Sequence, residues 1–191
     1  PTDQPDSALG IVVIGRNEGE RLKRCLRSLE ATDAPVVYVD SGSTDDSVSF
    51  AQLSGAETIE LDPAQPFTAA RARNEGIEHL LERAQPPAFI QVVDGDCVVD
   101  AAWIQQAMAY AEAHPEAGIV CGRRREAAPE ASVYNRLCDM EWCTPLGLSS
   151  ACGGDALIRT QAFRSAGGYS PSMIAGEDPE FSHRVTRQGF E

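Results

Sequence analysis

Residues 36–46, VVYVDSGSTDD, decide the fold. The first four form a short apolar, β-rich run, the mark of a buried strand, and the Ser-Gly-Ser-Thr-Asp behind Asp40 supplies turn and helix N-cap chemistry. Asp40 therefore stands at a strand's carboxyl end. In open α/β sheets that edge binds ligands, because its loops hold side chains and helix N-termini over one crevice. The plainer reading, that Asp40 only caps a helix starting near Asp45, weighs equally on this stretch alone.

Working outward, residues 10–14 (GIVVI) are apolar, and Leu22, Cys25, Leu26 and Leu29 follow at helical spacing. The alternation recurs as strand 36–39 and helix 45–53, then strand 58–61 and helix 68–83. A fourth strand at 89–93 precedes a helix with Trp103, Ile104, Ala107, Met108 and Ala111 on one face, and residues 119–121 make a fifth strand. This pattern predicts an α/β fold with a mostly parallel sheet and right-handed crossovers. After Arg125 regularity fades: 133–142 reads as helix and TPLGLSSACGGD as irregular. A strand at 156–158 and helices at 160–166 and 179–188 follow. A single domain over residues 1–191 is expected, about 1–100 forming a nucleotide-binding half and 101–191 an acceptor and catalytic half. The stop just after a helix suggests a piece of a longer protein.

Hydrophobic residues at 42% and charged residues at 24% are globular proportions, which excludes a disordered or fibrous chain. The net charge of −13 argues against nucleic acid, whose binders carry a basic face. Nucleotide binding would need local reversal of that charge by cations and by arginines such as Arg71, Arg73 and Arg123 to Arg125. No run approaches the roughly 20 apolar residues of a membrane span, and PTDQPDSALG has neither the basic nor the apolar part of a signal peptide. A cytoplasmic chain is expected, with the inner membrane face a suitable place for it to work. The six cysteines lie mostly beside apolar residues, as reduced buried thiols do; Cys138, Cys143 and Cys152 are a weak zinc candidate without a C-x2-C pair.

The fourth strand ends in Asp94-Gly95-Asp96, two carboxylates around a glycine that lets the chain turn and a ligand approach. A D-x-D is weak by itself. Its position at a strand's carboxyl end, beside Asp40 and the turn Gly15-Arg16-Asn17-Glu18, strengthens it. Carboxylates gathered on one edge repel unless compensated, and Mg2+ or Mn2+ on Asp96, helped by Asp94, is the expected compensation. Gly176-Glu177-Asp178-Pro179-Glu180 opens the last helix, where acidic residues also suit the dipole without any function.

Together these stretches resemble family 2 glycosyltransferases, inverting enzymes of the GT-A fold with a Rossmann-like central sheet. The carriers, in order, are VVIGRNEGERLKRCLRSL, VDSGSTDDS, ARARNEG, VDGDC and the distal GEDPEF after CGGDALIRTQAFRSAGGY. The resemblance implies that Asp40 contacts the nucleotide base, that Gly15, Asn17 and Glu18 line the base and ribose pocket, and that Arg73 faces the diphosphate. It implies Asp94 near ribose and donor sugar, Asp96 on the metal, and Asp178 as catalytic base with Glu177 as neighbouring candidate. The donor would be a UDP-, dTDP- or GDP-linked sugar, with one ring N–H of uracil or thymine suiting Asp40. The acceptor would be a glycan, a lipid-linked glycan or a small molecule. Gly15-Arg16 departs from the Pro-Thr or Pro-Val turn of many members. A sugar-phosphate nucleotidyltransferase and a non-catalytic nucleotide-binding module are the rivals.

Three further features weigh less. Arg123 to Arg125 could reach a phosphate but read more readily as a solvated edge. Trp142 could stack on a sugar or pack in the core, and Gly153-Gly154-Asp155 reads as a close-approach turn. His79 and His114 read as surface residues, whereas His183 could approach the site.

Overall fold

The computed structural model describes residues 8–191. Residues 1–7, the greater part of the PTDQPDSALG stretch that bears on a signal peptide, lie outside the described residues. The elements are β1 (Leu9–Gly15), α1 (Glu20–Leu29), β2 (Val36–Asp40), α2 (Ser47–Leu53), β3 (Glu57–Glu60), α3 (Ala69–Leu81) and β4 (Phe89–Asp94). Then come α4 (Trp103–Ala113), β5 (Ile119–Cys121), α5 (Val133–Glu141), β6 (Ala156–Arg159), α6 (Thr160–Ala166) and α7 (Glu177–Arg187). The six strands form one sheet in the order β3-β2-β1-β4-β6-β5.

Strand β1 is buried along nearly its whole length, as the continuous apolar run of a central parallel strand requires. Alternate residues feed two cores. Ile11 and Val13 pack with Leu22, Cys25, Leu26 and Leu29 of α1 and with Ile104 and Ala107 of α4. Val12 and Ile14 pack on the other side with Ala70, Ile77 and Leu80 of α3 and with Phe181 and Val185 of α7. The result is three layers, helix on sheet on helix. Helix α3 comes close enough to the sheet that a Cβ on Gly76 would lie 2.5 Å from Val12 Cγ1.

The first four strands are parallel, as expected. Strand β6 departs from the crossover pattern: it lies between β4 and β5 and is antiparallel to both. The reason is where the chain goes after β5. Residues 122–155 contain no crossover to the opposite edge, so the chain re-enters the sheet from the edge it left and must run back. That return pairs Ala156 with Val92 and delivers Gly154 and Asp155 beside Asp94. Helix α7 starts two residues earlier than the periodicity suggests, so Glu177 and Asp178 belong to its first turn.

Candidate active site

Strand β1 is where the strand order turns back, with β2 and β3 on one side and β4 on the other. Loops leaving β1 and β4 part at such a point and open a crevice at the carboxyl edge. Pairing of Gly15 with Asp40 and of Ile14 with Asp94 sets the two acidic residues on either side of β1. A cleft of about 500 Å³ lies here, lined by Gly15, Arg16, Glu18, Ser41, Phe67, Arg73, Asp94, Gly95, Asp96, Arg124, Gly154, Glu177 and Asp178, among others. A second depression, of about 460 Å³ and lined by Pro86, Pro87, Arg159 and Arg164 among others, contains no carboxylate.

Arg73 is the hub of the cleft. Helix α3 starts at an N-cap Thr68, whose hydroxyl oxygen accepts from the Arg71 amide and whose O–H donates to the Pro171 carbonyl. That start aims Arg73, only 2% exposed, at the carboxyl edge. Its Nη1 donates to Glu177 Oε1 at 2.8 Å and to Asp178 Oδ1 at 3.1 Å, its Nη2 to Asp94 Oδ1 at 3.0 Å, and it stacks 5.5 Å from the centre of the Tyr169 ring. Burial opposes its charge, but Asp94 and Asp178 outweigh burial and hold it protonated. Arg73 therefore supplies part of the compensation that the clustered carboxylates require, beside the expected metal. Nη1 places both of its N–H groups on carboxylates and Nη2 one of its two, and a Cβ on Gly154 would lie 2.3 Å from Nη2.

Asp178 keeps one oxygen for other work: Oδ1 is held by Arg73, whereas Oδ2 takes no hydrogen bond from any described residue. Burial pushes its carboxyl up to about 6; Arg73 opposes the rise, and Glu177 and Asp94 add to it. Such a group is ionised at neutral pH yet basic for an aspartate.

Asp40, 1% exposed, is occupied by its own turn. Its Oδ2 accepts from the amides of Gly42 (2.9 Å) and Ser43 (2.7 Å), and its Oδ1 from the hydroxyls of Tyr38 (2.9 Å) and Ser43 (2.5 Å). This is neither helix capping nor an open acceptor. A base contact would require one of these four donors to yield. Asn17, at φ 55°, ties the neighbouring loop to it: its amide donates to Ser43 Oγ at 2.8 Å and its Oδ1 accepts from the Thr44 amide at 2.7 Å. Asparagine tolerates that left-handed backbone better than most residues. Asn17 shapes the rim, while Gly15 and Glu18 line the cleft itself.

Glu18 is raised by burial, with Arg21 opposing and Asp96 adding to the rise. Arg21 Nη2 lies 2.8 Å from Glu18 Oε2, yet the pair is not aligned for a hydrogen bond. Asp96 is exposed and has no cationic side-chain partner among the described residues. Asp94 gives Arg73 only its Oδ1. Two carboxylates with spare oxygens suit Mg2+ or Mn2+, which take one or two carboxylates and complete their shell with water and phosphate. No group of three or more potential ligands converges among the described residues, for a hard cation or for zinc. The thiols beside this edge stay protonated: burial and Asp155 push Cys25 up to about 12 and raise Cys97 as well.

Of the arginine run, Arg123 donates to the Thr144 carbonyl and Arg125 to Asp139, on the surface as expected. Arg124 departs from that expectation and lines the cleft. Two parts of the site carried little or no signal in the sequence. Tyr169, the last residue of CGGDALIRTQAFRSAGGY, lies under Arg73 although no role was expected of it, and Asp155, a modest candidate, accepts from the Asp94 amide at 3.2 Å while burial and Asp94 raise its carboxyl. His79 and His114 pair with surface glutamates, and His183 is exposed outside the cleft lining.

Solved structures share this architecture. Mannosyltransferase PcManGT from Pyrobaculum calidifontis, in complex with GDP-Man and Mn2+, superposes with a TM-score of 0.70 at 17% identity, over 100% of this chain and 56% of its own. Residues 1–349 of S. aureus TarS give 0.66 at 17% identity, over 92% and 55%. Glucosyl-3-phosphoglycerate synthase from Mycobacterium tuberculosis with UDP gives 0.54 at 19% identity, over 82% and 58%. The chain thus spans little more than half the length of these proteins, and at such identities the likeness establishes the fold, GT-A. The sequence model described as glycosyl transferase family 2 matches residues 10–164, through every strand and up to but not including α7 with Glu177 and Asp178. With that match over most of its length and the same fold in these structures, the chain belongs to glycosyl transferase family 2.

Proposed function

We propose that this chain is the catalytic domain of an inverting, metal-dependent glycosyltransferase that moves a sugar from a nucleoside diphosphate to an acceptor hydroxyl, with Asp178 as general base. The observation that carries the reading is the joining of Asp94 and Asp178 through one buried guanidinium. It links the metal-type carboxylate pair of β4 to a free carboxylate oxygen across the same cleft.

Charge supports a cation. Five carboxylates and three guanidinium groups line the cleft, so a diphosphate would add negative charge to a surface that already has an excess. Asp96 and the free oxygen of Asp94 are the residues to hold Mg2+ or Mn2+. The ion would neutralise the departing diphosphate. That structures of the same fold were obtained with GDP-Man and Mn2+, or with UDP and Mn2+, supports use of a divalent ion. Asp178 Oδ2 takes the acceptor's hydroxyl proton as the oxygen attacks the anomeric carbon. The bond from that carbon to the diphosphate breaks on the opposite face, inverting the centre. Arg73 holds Asp178 in place. The Arg16 guanidinium, 5.5 Å from the centre of the Phe67 ring, makes no side-chain hydrogen bond to a described residue and supplies positive charge on the donor side.

Titration with UDP, GDP and dTDP, with and without Mn2+, tests the donor half, and product analysis tests the chemistry. Asp178→Asn is expected to retain donor binding and lose transfer by on the order of 10²-fold or more, the usual contribution of a general base. Release of pyrophosphate instead of a nucleoside diphosphate would point to nucleotidyl transfer and end the proposal.

A further inference from the structure

Among the guanidinium groups of the cleft, Arg124 is the one that lies between Asp155 and Trp142. Its Nη1 forms an ion pair with Asp155 Oδ2 at 3.6 Å, beyond hydrogen-bond length, and none of its side-chain donors is hydrogen-bonded to a described residue. Two neighbours border the group: its Cζ lies over the Trp142 ring, 5.3 Å from the centre, and a Cβ on Gly153 would lie 2.4 Å from its Nη2, so the loop opposite is glycine where the guanidinium passes. Holding an arginine this way removes side-chain freedom without using its hydrogen bonds, the arrangement that favours forked recognition of a carboxylate or phosphate.

Position indicates which substrate brings the anion. The metal-type carboxylates lie at and just beyond the end of β4, and Arg16 and Phe67 stand on the loops that follow β1 and β3; Arg124 instead shares its surroundings with Asp155 and Trp142 of the later half. It also acts electrostatically on Asp178. An acceptor hydroxyl at Asp178 would carry its neighbouring substituents toward this guanidinium. We infer that Arg124, braced by Trp142, receives an anionic group of the acceptor, so that the favoured acceptors are hydroxyl compounds bearing a phosphate or a carboxylate. The inference rests on the transferase reading and names the acceptor class for it.

The test uses the whole chain with Mn2+. Glycerol 3-phosphate and glycerate serve as anionic probes, glycerol as the neutral control and UDP as the donor-side probe; the fluorescence of Trp142, one of only two tryptophans, gives the readout beside calorimetry. The expected result is that an anionic probe binds the wild type, that Arg124→Gln weakens it on the order of tenfold to a hundredfold, and that Arg124→Lys recovers part of the loss. UDP binding should change by less than about threefold if the anion belongs to the acceptor side. Trp142→Ala should weaken the anion and spare UDP. An Arg124→Gln loss falling on UDP assigns the residue to the donor diphosphate and overturns the inference, as does an absence of anion preference over glycerol in the wild type. Failure of UDP to bind even the wild type with Mn2+ would instead count against the transferase reading.

Discussion

At the scale of single residues, the cleft turns on how one guanidinium is packed. Gly154 borders Arg73 so closely that Gly154→Ala places a methyl group at 2.3 Å from Nη2 and 2.9 Å from Asp94 Oδ2. Arg73 is hydrogen-bonded to three carboxylates and cannot swing aside cheaply. The variant is expected to lose about 1–3 kcal/mol in urea unfolding, the usual cost of overpacking, and to lose transfer with it. Asp178 governs the pH response. Its carboxyl titrates near 6 rather than at the ordinary 3.8, so the ionised base disappears on acidification and the rate should fall about tenfold for each pH unit below about 6. A profile flat between pH 5 and 7 would remove Asp178 from the proton transfer. The stability effect has the opposite sign. Because the folded state holds this proton more tightly than the unfolded chain, the contribution of this group is full below 3.8 and is lost as pH rises through about 6. The motif VDGDC was visible in the sequence, whereas the hub was not: the partners of Arg73 lie 21, 104 and 105 positions away.

At the scale of elements, α3 shows why a helix of modest amphipathicity is held firmly. It presents Gly76 to the sheet, and Gly76→Ala would meet Val12 Cγ1 at 2.5 Å and Val39 Cγ2 at 2.9 Å. Alanine gains about 1 kcal/mol in helix propensity, but both neighbours are β-branched and stiff, and overpacking costs about 1–3 kcal/mol. The expected outcome is a net fall in the thermal midpoint together with weaker catalysis, since any tilt of α3 moves Arg73. Elements with strong local signals are legible in the sequence. Leu22, Cys25, Leu26 and Leu29 give α1 its buried face, and the VVYVD run gives β2. Helix α5 formed as its spacing suggested, yet it buries no residue and leaves Val133, Tyr134, Leu137 and Met140 exposed. Periodicity reports which side of a helix is apolar, not whether anything described covers it.

At the scale of the whole molecule, the net charge of −13 includes an excess of carboxylates over guanidinium groups in the cleft lining. A cation that binds the folded cleft more tightly than the unfolded chain stabilises the fold by mass action. Mn2+ with UDP should therefore raise the thermal midpoint, EDTA should reverse the rise, and Asp96→Asn should abolish it while leaving the metal-free midpoint nearly unchanged, because Asp96 is exposed and bound to no cation of the chain. A rise that survives Asp96→Asn would place the ion elsewhere. The amino-acid sequence by itself determined the parallel α/β core and the delivery of Asp40 and Asp94 to one edge, because strand, turn and helix signals are local and a parallel strand must end where its loop begins. Tertiary structure decided the rest. The reversal of β6, the four donors that enclose Asp40, the guanidinium shared by Asp94, Glu177 and Asp178, and the entry of Arg124 alone among its neighbours into the cleft all depend on where distant segments return. Packing and electrostatics between such segments leave no periodic trace along the chain.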